Sequence, residues 1–141
     1  MKKVLFFAIA LVASALVFTS CEKNSDNPLV GTWQYIEDYG PDRTEKKVIF
    51  EGSNKFTYSE YMYLNDQVHY GYMYKGTYKI DGDMVYVHYT GFMSTIDGEM
   101  HEHSDFEPYD DQFKYSIDGK TLTITYLPGT GSDYTETYTK Q

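Results

Sequence analysis

Val68-His69-Tyr70-Gly71-Tyr72-Met73-Tyr74-Lys75-Gly76-Thr77-Tyr78-Lys79-Ile80 is the stretch that decides the fold. Val68, Tyr70, Tyr72, Tyr74, Tyr78 and Ile80 fall on one side of a two-residue period. His69, Gly71, Met73, Lys75, Thr77 and Lys79 fall on the other. Successive side chains of a strand point to opposite faces, so the pattern is that of a half-buried β-strand with one apolar and one wet face. Asn65-Asp66 precedes it and Asp81-Gly82 follows it; both are dipeptides that accept the positive φ of tight hairpin turns.

The same reading extends outward in both directions. Phe113, Tyr115 and Ile117 form one row, and Leu122, Ile124 and Tyr126 another. Tyr134 and Tyr138 form a third opposite Thr135, Thr137 and Thr139. Gly52-Ser53-Asn54, Asp97-Gly98 and Asp118-Gly119 mark further turns. Strands are predicted over about 30–38, 45–51, 55–64, 67–80 (with a break possible at Gly76), 84–96 (with a break possible at Gly91), 99–106, 112–118, 121–127 and 132–139, eight to ten in all. No connection is long enough for a crossover helix. The expected fold class is all-β: an antiparallel up-and-down meander that removes its two edges by closing into an 8-10-stranded barrel. A two-sheet sandwich fits the alternation nearly as well, but its Greek-key links usually need longer connections.

Sixteen tyrosines in the chain are more than a dry core needs, because each buried ring brings a hydroxyl with it. If Tyr70, Tyr72, Tyr74, Tyr78, Tyr86, Tyr115 and Tyr126 point into the barrel, their rings make an apolar wall with polar tips. That suits a small ligand that is partly aromatic, lipidic or sugar-like. The plainer alternative is that these rings fill the interior and share hydrogen bonds among themselves or with water.

The N-terminus carries an address. Lys2 and Lys3 precede an apolar run from Val4 to Phe18, which ends before Cys21, the single cysteine. A charged n-region, a short apolar h-region and the small residues Thr19 and Ser20 form a secretory signal over residues 1–20. Fifteen apolar residues fall short of the roughly 20 that span a bilayer. If Cys21 becomes the first residue, 121 of the 141 residues remain, enough for one domain. Losing two lysines takes the net charge from −9 to about −11. Such a chain is a poor partner for nucleic acid and is repelled by anionic lipid. Residues 22–27 are polar and precede Pro28, so residues 21–28 are expected to be the anchor cysteine and a flexible tether. The folded domain is expected over residues 29–141.

Phe18-Thr19-Ser20-Cys21 resembles the end of bacterial lipoprotein signals, with Phe18 where that box usually carries leucine. The resemblance implies lipidation of Cys21 by several acyl chains, palmitate among them, and attachment to the outer membrane on its periplasmic face or the cell surface. With Cys21 acylated no thiol is left for a disulfide or for cysteine catalysis. Leu29-Val30-Gly31-Thr32-Trp33 opens the first strand and is similar to the start of lipocalin-like and related calycin barrels. Gly76-Thr77-Tyr78 and Leu122-Thr123-Ile124 resemble later strands of small lipocalin-like domains on Gram-negative lipoproteins. In that family the glycine starts the strand and the tryptophan closes the barrel floor, roles that pass here to Gly31 and Trp33. Lipocalins commonly stack a basic residue from a late strand on that tryptophan. Arg43 is the only arginine and lies early, which leaves Lys140 as the substitute.

Two other clusters invite chemistry. His101 and His103 lie two apart beside Glu99 and Asp105, but a zinc site needs three or four convergent ligands, and only His69 or His88 could complete this one. Asp105, Glu107, Asp110 and Asp111 crowd the neighbourhood of Pro108 without the glycine of a calcium loop. Both read as solvated polar surface, so no metal and no cofactor is expected. No Gly-x-Ser-x-Gly elbow, His-Glu-x-x-His helix or phosphate loop is present. The expectation is a non-enzymatic module that binds a small apolar or amphipathic molecule. The alternative is a filled barrel that contacts another envelope protein or polysaccharide.

Overall fold

The computed structural model describes residues 27–96, 98–127 and 132–141, and these are all-β. The signal, Cys21 and residues 22–26 of the expected tether lie outside the described residues, as does Asp97 of one predicted turn. Among the described residues nine strands follow in order: β1 (Gly31–Asp38), β2 (Arg43–Phe50), β3 (Lys55–Leu64), β4 (Gln67–Asp81), β5 (Met84–Ile96), β6 (Glu99–Glu102), β7 (Tyr109–Asp118), β8 (Thr121–Tyr126) and β9 (Tyr134–Lys140). All pair antiparallel with their neighbours. The order β4-β3-β2-β1-β9-β8-β7-β5 returns to its start through the β4–β5 ladder, which closes eight strands into a barrel. β6 is an extra strand that pairs only with the end of β5. The closed ladder rules out the sandwich.

Among the described residues the turns form where the sequence placed them. Asn65 and Asp66 both adopt positive φ, 51° and 60°, the conformation of a two-residue hairpin loop. Neither Gly76 nor Gly91 breaks its strand. Instead β5 carries one extra residue there: Tyr89 pairs with Gly76 and Gly91 with Lys75, so Thr90 has no partner. The bulge brings the two backbones so close at Gly76 that a Cβ would stand 2.1 Å from the His88 carbonyl oxygen. It also changes which side chains of β5 face inward, from Val85, Val87 and Tyr89 to Phe92. A second slip leaves His69 unpaired, so Val68 pairs with Tyr63 rather than continuing the row begun at Tyr70.

Three boundaries differ from the sequence reading. β2 begins at Arg43, whose guanidinium lies 3.9 Å from the centre of the Tyr63 ring and bonds Glu45 and Asp66. β6 ends at Glu102, well short of residue 106. β7 starts at Tyr109, so Asp110 and Asp111 belong to a strand and not to an acidic loop. Asp110 pairs with His88 across the ladder, and its carboxylate meets that ring at 2.7 Å.

One half of the barrel is packed solid. Leu29, Trp33, Val48, Phe50, Phe56, Tyr78, Val85, Val87, Phe113, Leu122, Ile124 and Tyr138 are buried there. Phe50 meets Phe56 and Tyr78 edge to face at 5.3 and 5.0 Å. Asn27, assigned by sequence to the tether, is part of this floor: its amide bonds the Tyr78 hydroxyl at 2.9 Å and its side-chain oxygen accepts the Leu29 N–H at 3.0 Å. Trp33 is fully buried and donates its indole N–H to the Leu29 carbonyl at 2.7 Å. The Lys140 ammonium stands 5.1 Å from the centre of its ring, the place for which the sequence left Lys140 as substitute. Gly31, at φ 139°, makes room for it, since a Cβ there would lie 2.9 Å from Lys140 Cε.

A candidate ligand cavity

Above that floor the inward rows change character. From the floor upward β2 presents Phe50, Val48 and Lys46, and β3 presents Phe56, Tyr58 and Glu60. β9 presents Tyr138, then Glu136 and Tyr134 toward the opposite end. These residues and Tyr70, Tyr72 and Tyr74 of β4 surround a cavity of about 410 Å³ that opens at the end of the barrel away from Trp33. Tyr89 and Phe92 of β5, Tyr109 of β7 and Tyr126 of β8 complete the wall. The rings touch one another in sequence: Tyr74 lies 4.8 Å from Phe92 and 5.3 Å from Tyr89, and Tyr89 lies 4.7 Å from Tyr109. Phe106, in the segment between β6 and β7, backs this wall against Tyr74, Phe92 and Tyr109.

A charged cluster sits in the wall. Lys46 binds the carboxylate of Glu136, and its ammonium is 3.7 Å from Glu60. Tyr58 and Tyr72 donate to one oxygen of Glu60 at 2.8 and 2.7 Å. Tyr134 and Tyr138 donate to Glu136 at 2.9 and 2.5 Å, and the Tyr126 hydroxyl stands 3.4 Å from it. Among the described residues no buried side-chain polar atom lacks a partner. Burial pushes the Glu136 carboxyl up, but the Lys46 ammonium and the Tyr138 and Tyr134 hydroxyls outweigh it and hold the group below the ordinary glutamate range. Burial likewise disfavours the Lys46 ammonium, and Glu136 with Glu60 more than restores it, so that its pKa is raised. The phenols move the other way. Burial first, and then neighbouring hydroxyls and carboxylates, push Tyr58, Tyr72, Tyr89, Tyr126 and Tyr138 far above an ordinary tyrosine, and Tyr109 up to about 12.

Of the seven tyrosines singled out from the sequence, Tyr70, Tyr72, Tyr74 and Tyr126 meet in this cavity. Tyr78 points inward but is buried in the floor, with its hydroxyl on Asn27 and the Glu51 carbonyl. Tyr115 packs against the buried cluster without reaching the cavity. Tyr86 is 38 % exposed and lines a groove on the outside with Thr77, Lys79, His88 and Gln112. Sequence reasoning missed Tyr58, Tyr89, Tyr109 and Tyr134, and it missed Lys46, Glu60 and Glu136. A signal for the last three existed: each is a charged residue two positions from an apolar or aromatic one in an inward row.

The histidines do not gather. His103 bonds Ser94 at 2.8 Å and packs at a tilt against Phe92, while His101 is exposed on β6. Among the described residues no group of three potential metal ligands converges. In comparisons with known proteins, no family model and no curated sequence matches this chain.

Proposed function

We propose that this protein is a non-enzymatic binding module of the bacterial envelope, a lipocalin-like barrel that holds a small apolar or amphipathic ligand in its tyrosine-rich cavity. Lipid on Cys21 attaches it to the outer membrane. The observation that carries the reading is the cavity itself. About 410 Å³ of space, walled by aromatic rings above a solid floor, falls within the roughly 300–1,000 Å³ of small-molecule sites and has their mix of apolar wall and few polar groups. A filled barrel that works only through its outer surface has no use for such a volume. The fully buried Trp33, with Gly31 and Lys140 around it, supports the lipocalin-like assignment. The anchor rests on the sequence at Phe18-Thr19-Ser20-Cys21.

Protein taken from its own envelope and examined by native mass spectrometry is expected to carry an extra mass that organic solvent releases. A bare mass, with no small molecule tested raising the melting temperature, would overturn the container. Replacing Cys21 with alanine is expected to move the protein from the membrane to the soluble fraction.

A further inference from the structure

We infer that the cavity selects a guest with a positive charge, an organic cation such as an alkyl or aryl ammonium, over an anionic amphiphile of the same size. This deepens the binding reading above and rests on it. Two carboxylates, Glu60 and Glu136, face the cavity against one ammonium, and that ammonium is held between them. Among the described residues no other cation lines the space. The Glu136 side chain is only 3 % exposed, so solvent screens its charge poorly.

The hydrogen-bond directions point the same way. Tyr58, Tyr72 and Tyr134, which line the cavity, have turned their protons toward the carboxylates, and a phenol that has done so offers a neighbour only oxygen lone pairs. A carboxylate guest entering beside the cluster meets acceptors and a Lys46 whose charge is already matched. An ammonium meets those lone pairs and carboxylates, and the π faces of Tyr70, Tyr72, Tyr74, Tyr89 and Phe92. Aromatic faces are negative and attract cations, most strongly where water is excluded. At longer range the acidic chain, at a formal net charge of −9, draws cations toward its surface and disfavours anions.

The test uses the whole soluble domain and three probes of equal chain length, octyltrimethylammonium, octanoate and octanol, with binding measured by calorimetry at low and at physiological salt. Octyltrimethylammonium is expected to bind at least tenfold more tightly than octanoate. Glu60→Gln, which keeps an acceptor for Tyr58 and Tyr72, is expected to cut that ratio severalfold, and Lys46→Gln to widen it. If all three probes bind equally, or octanoate binds best, the cavity takes guests but the charge preference is wrong. A preference that survives Glu60→Gln unchanged would also overturn it, because the charge would then act from elsewhere. If no probe binds, the container reading falls and this inference with it.

Discussion

The two ends of the barrel are built from the same strands and the same alternation, yet they do opposite things. At the closed end the inward positions hold Leu29, Trp33, Phe50, Val85, Leu122 and Ile124, and the volume is filled. Further along the inward rows the positions hold Lys46, Glu60, Tyr72, Tyr134 and Glu136, and about 410 Å³ stays open. Burying an apolar side chain contributes roughly 1.5–3 kcal/mol, so the floor can bear most of the stability. The mouth is then free to hold groups chosen for what they offer a guest. Buried charge costs free energy unless it is paired and hydrogen-bonded, and the five tyrosines around Glu60 and Glu136 meet that condition. The cluster is therefore both what the mouth needs to fold and what gives it chemical character.

Damage at the floor is expected to unfold the molecule. Trp33→Ala removes a fully buried ring, its hydrogen bond to the Leu29 carbonyl and the platform under Lys140. A loss of about 3–5 kcal/mol is expected in chemical denaturation, the range for deleting a large aromatic from a core. A loss below about 1 kcal/mol would show that the two ends share the load equally and would erase the contrast.

Damage at the mouth is expected to show first in pH dependence. The folded Glu136 holds its carboxyl below the value near 4.5 that it takes when unfolded. Its contribution is therefore present above that pH and is lost as acid titrates the folded group. The raised pKa of Lys46 acts in reverse: its contribution is present below the unfolded value of 10.5 and is lost as pH rises through the folded one. The raised phenols add to the same alkaline loss. A melting-temperature profile with a plateau between these limits is expected, with phenolate absorbance from the buried tyrosines rising only as the barrel opens. Lys46→Gln should lower the plateau and flatten the acid shoulder, since Glu136 then has no ammonium to hold its charge. An acid shoulder that survives unchanged would move its cause to other carboxylates.

How much of this contrast was legible in the sequence depended on parity. Where apolar and polar residues alternate cleanly, as at residues 70–80, 113–117 and 134–139, the strand and its inward face followed directly. The turns at Asn65-Asp66 and Asp118-Gly119 followed as well, because few residue pairs tolerate their φ values. The start of β7 was not legible: Asp110 and Asp111 look like solvent-loop residues, and the β5 backbone holds them in a ladder regardless of propensity. The cavity's charged cluster was harder still. Lys46, Glu60 and Glu136 lie on three strands, and only barrel closure brings them together.

The smallest expected effect tests the parity argument itself, at β5. Met84-Val85-Tyr86-Val87 is apolar on both faces, so the alternation gives no direction there, and Tyr86 was expected inside. The ladder decides otherwise: Val85 and Val87 are buried at 0 and 1 % exposure, Tyr86 is 38 % exposed beside Lys79, and the parity changes only beyond Thr90. Tyr86→Ala is therefore expected to change stability by no more than about 0.5 kcal/mol, the ordinary range for a surface substitution, and to leave the affinity for an ammonium probe unaltered. Tyr74→Ala, next to the bulge partner Lys75 in the same ladder but facing the cavity among Phe92, Tyr89 and Tyr109, should weaken that affinity at least tenfold. If Tyr86→Ala proved the more damaging of the two, the guest would have to sit in the outer groove beside His88 and Asp110, and the division between a filled floor and an open mouth would no longer locate the function.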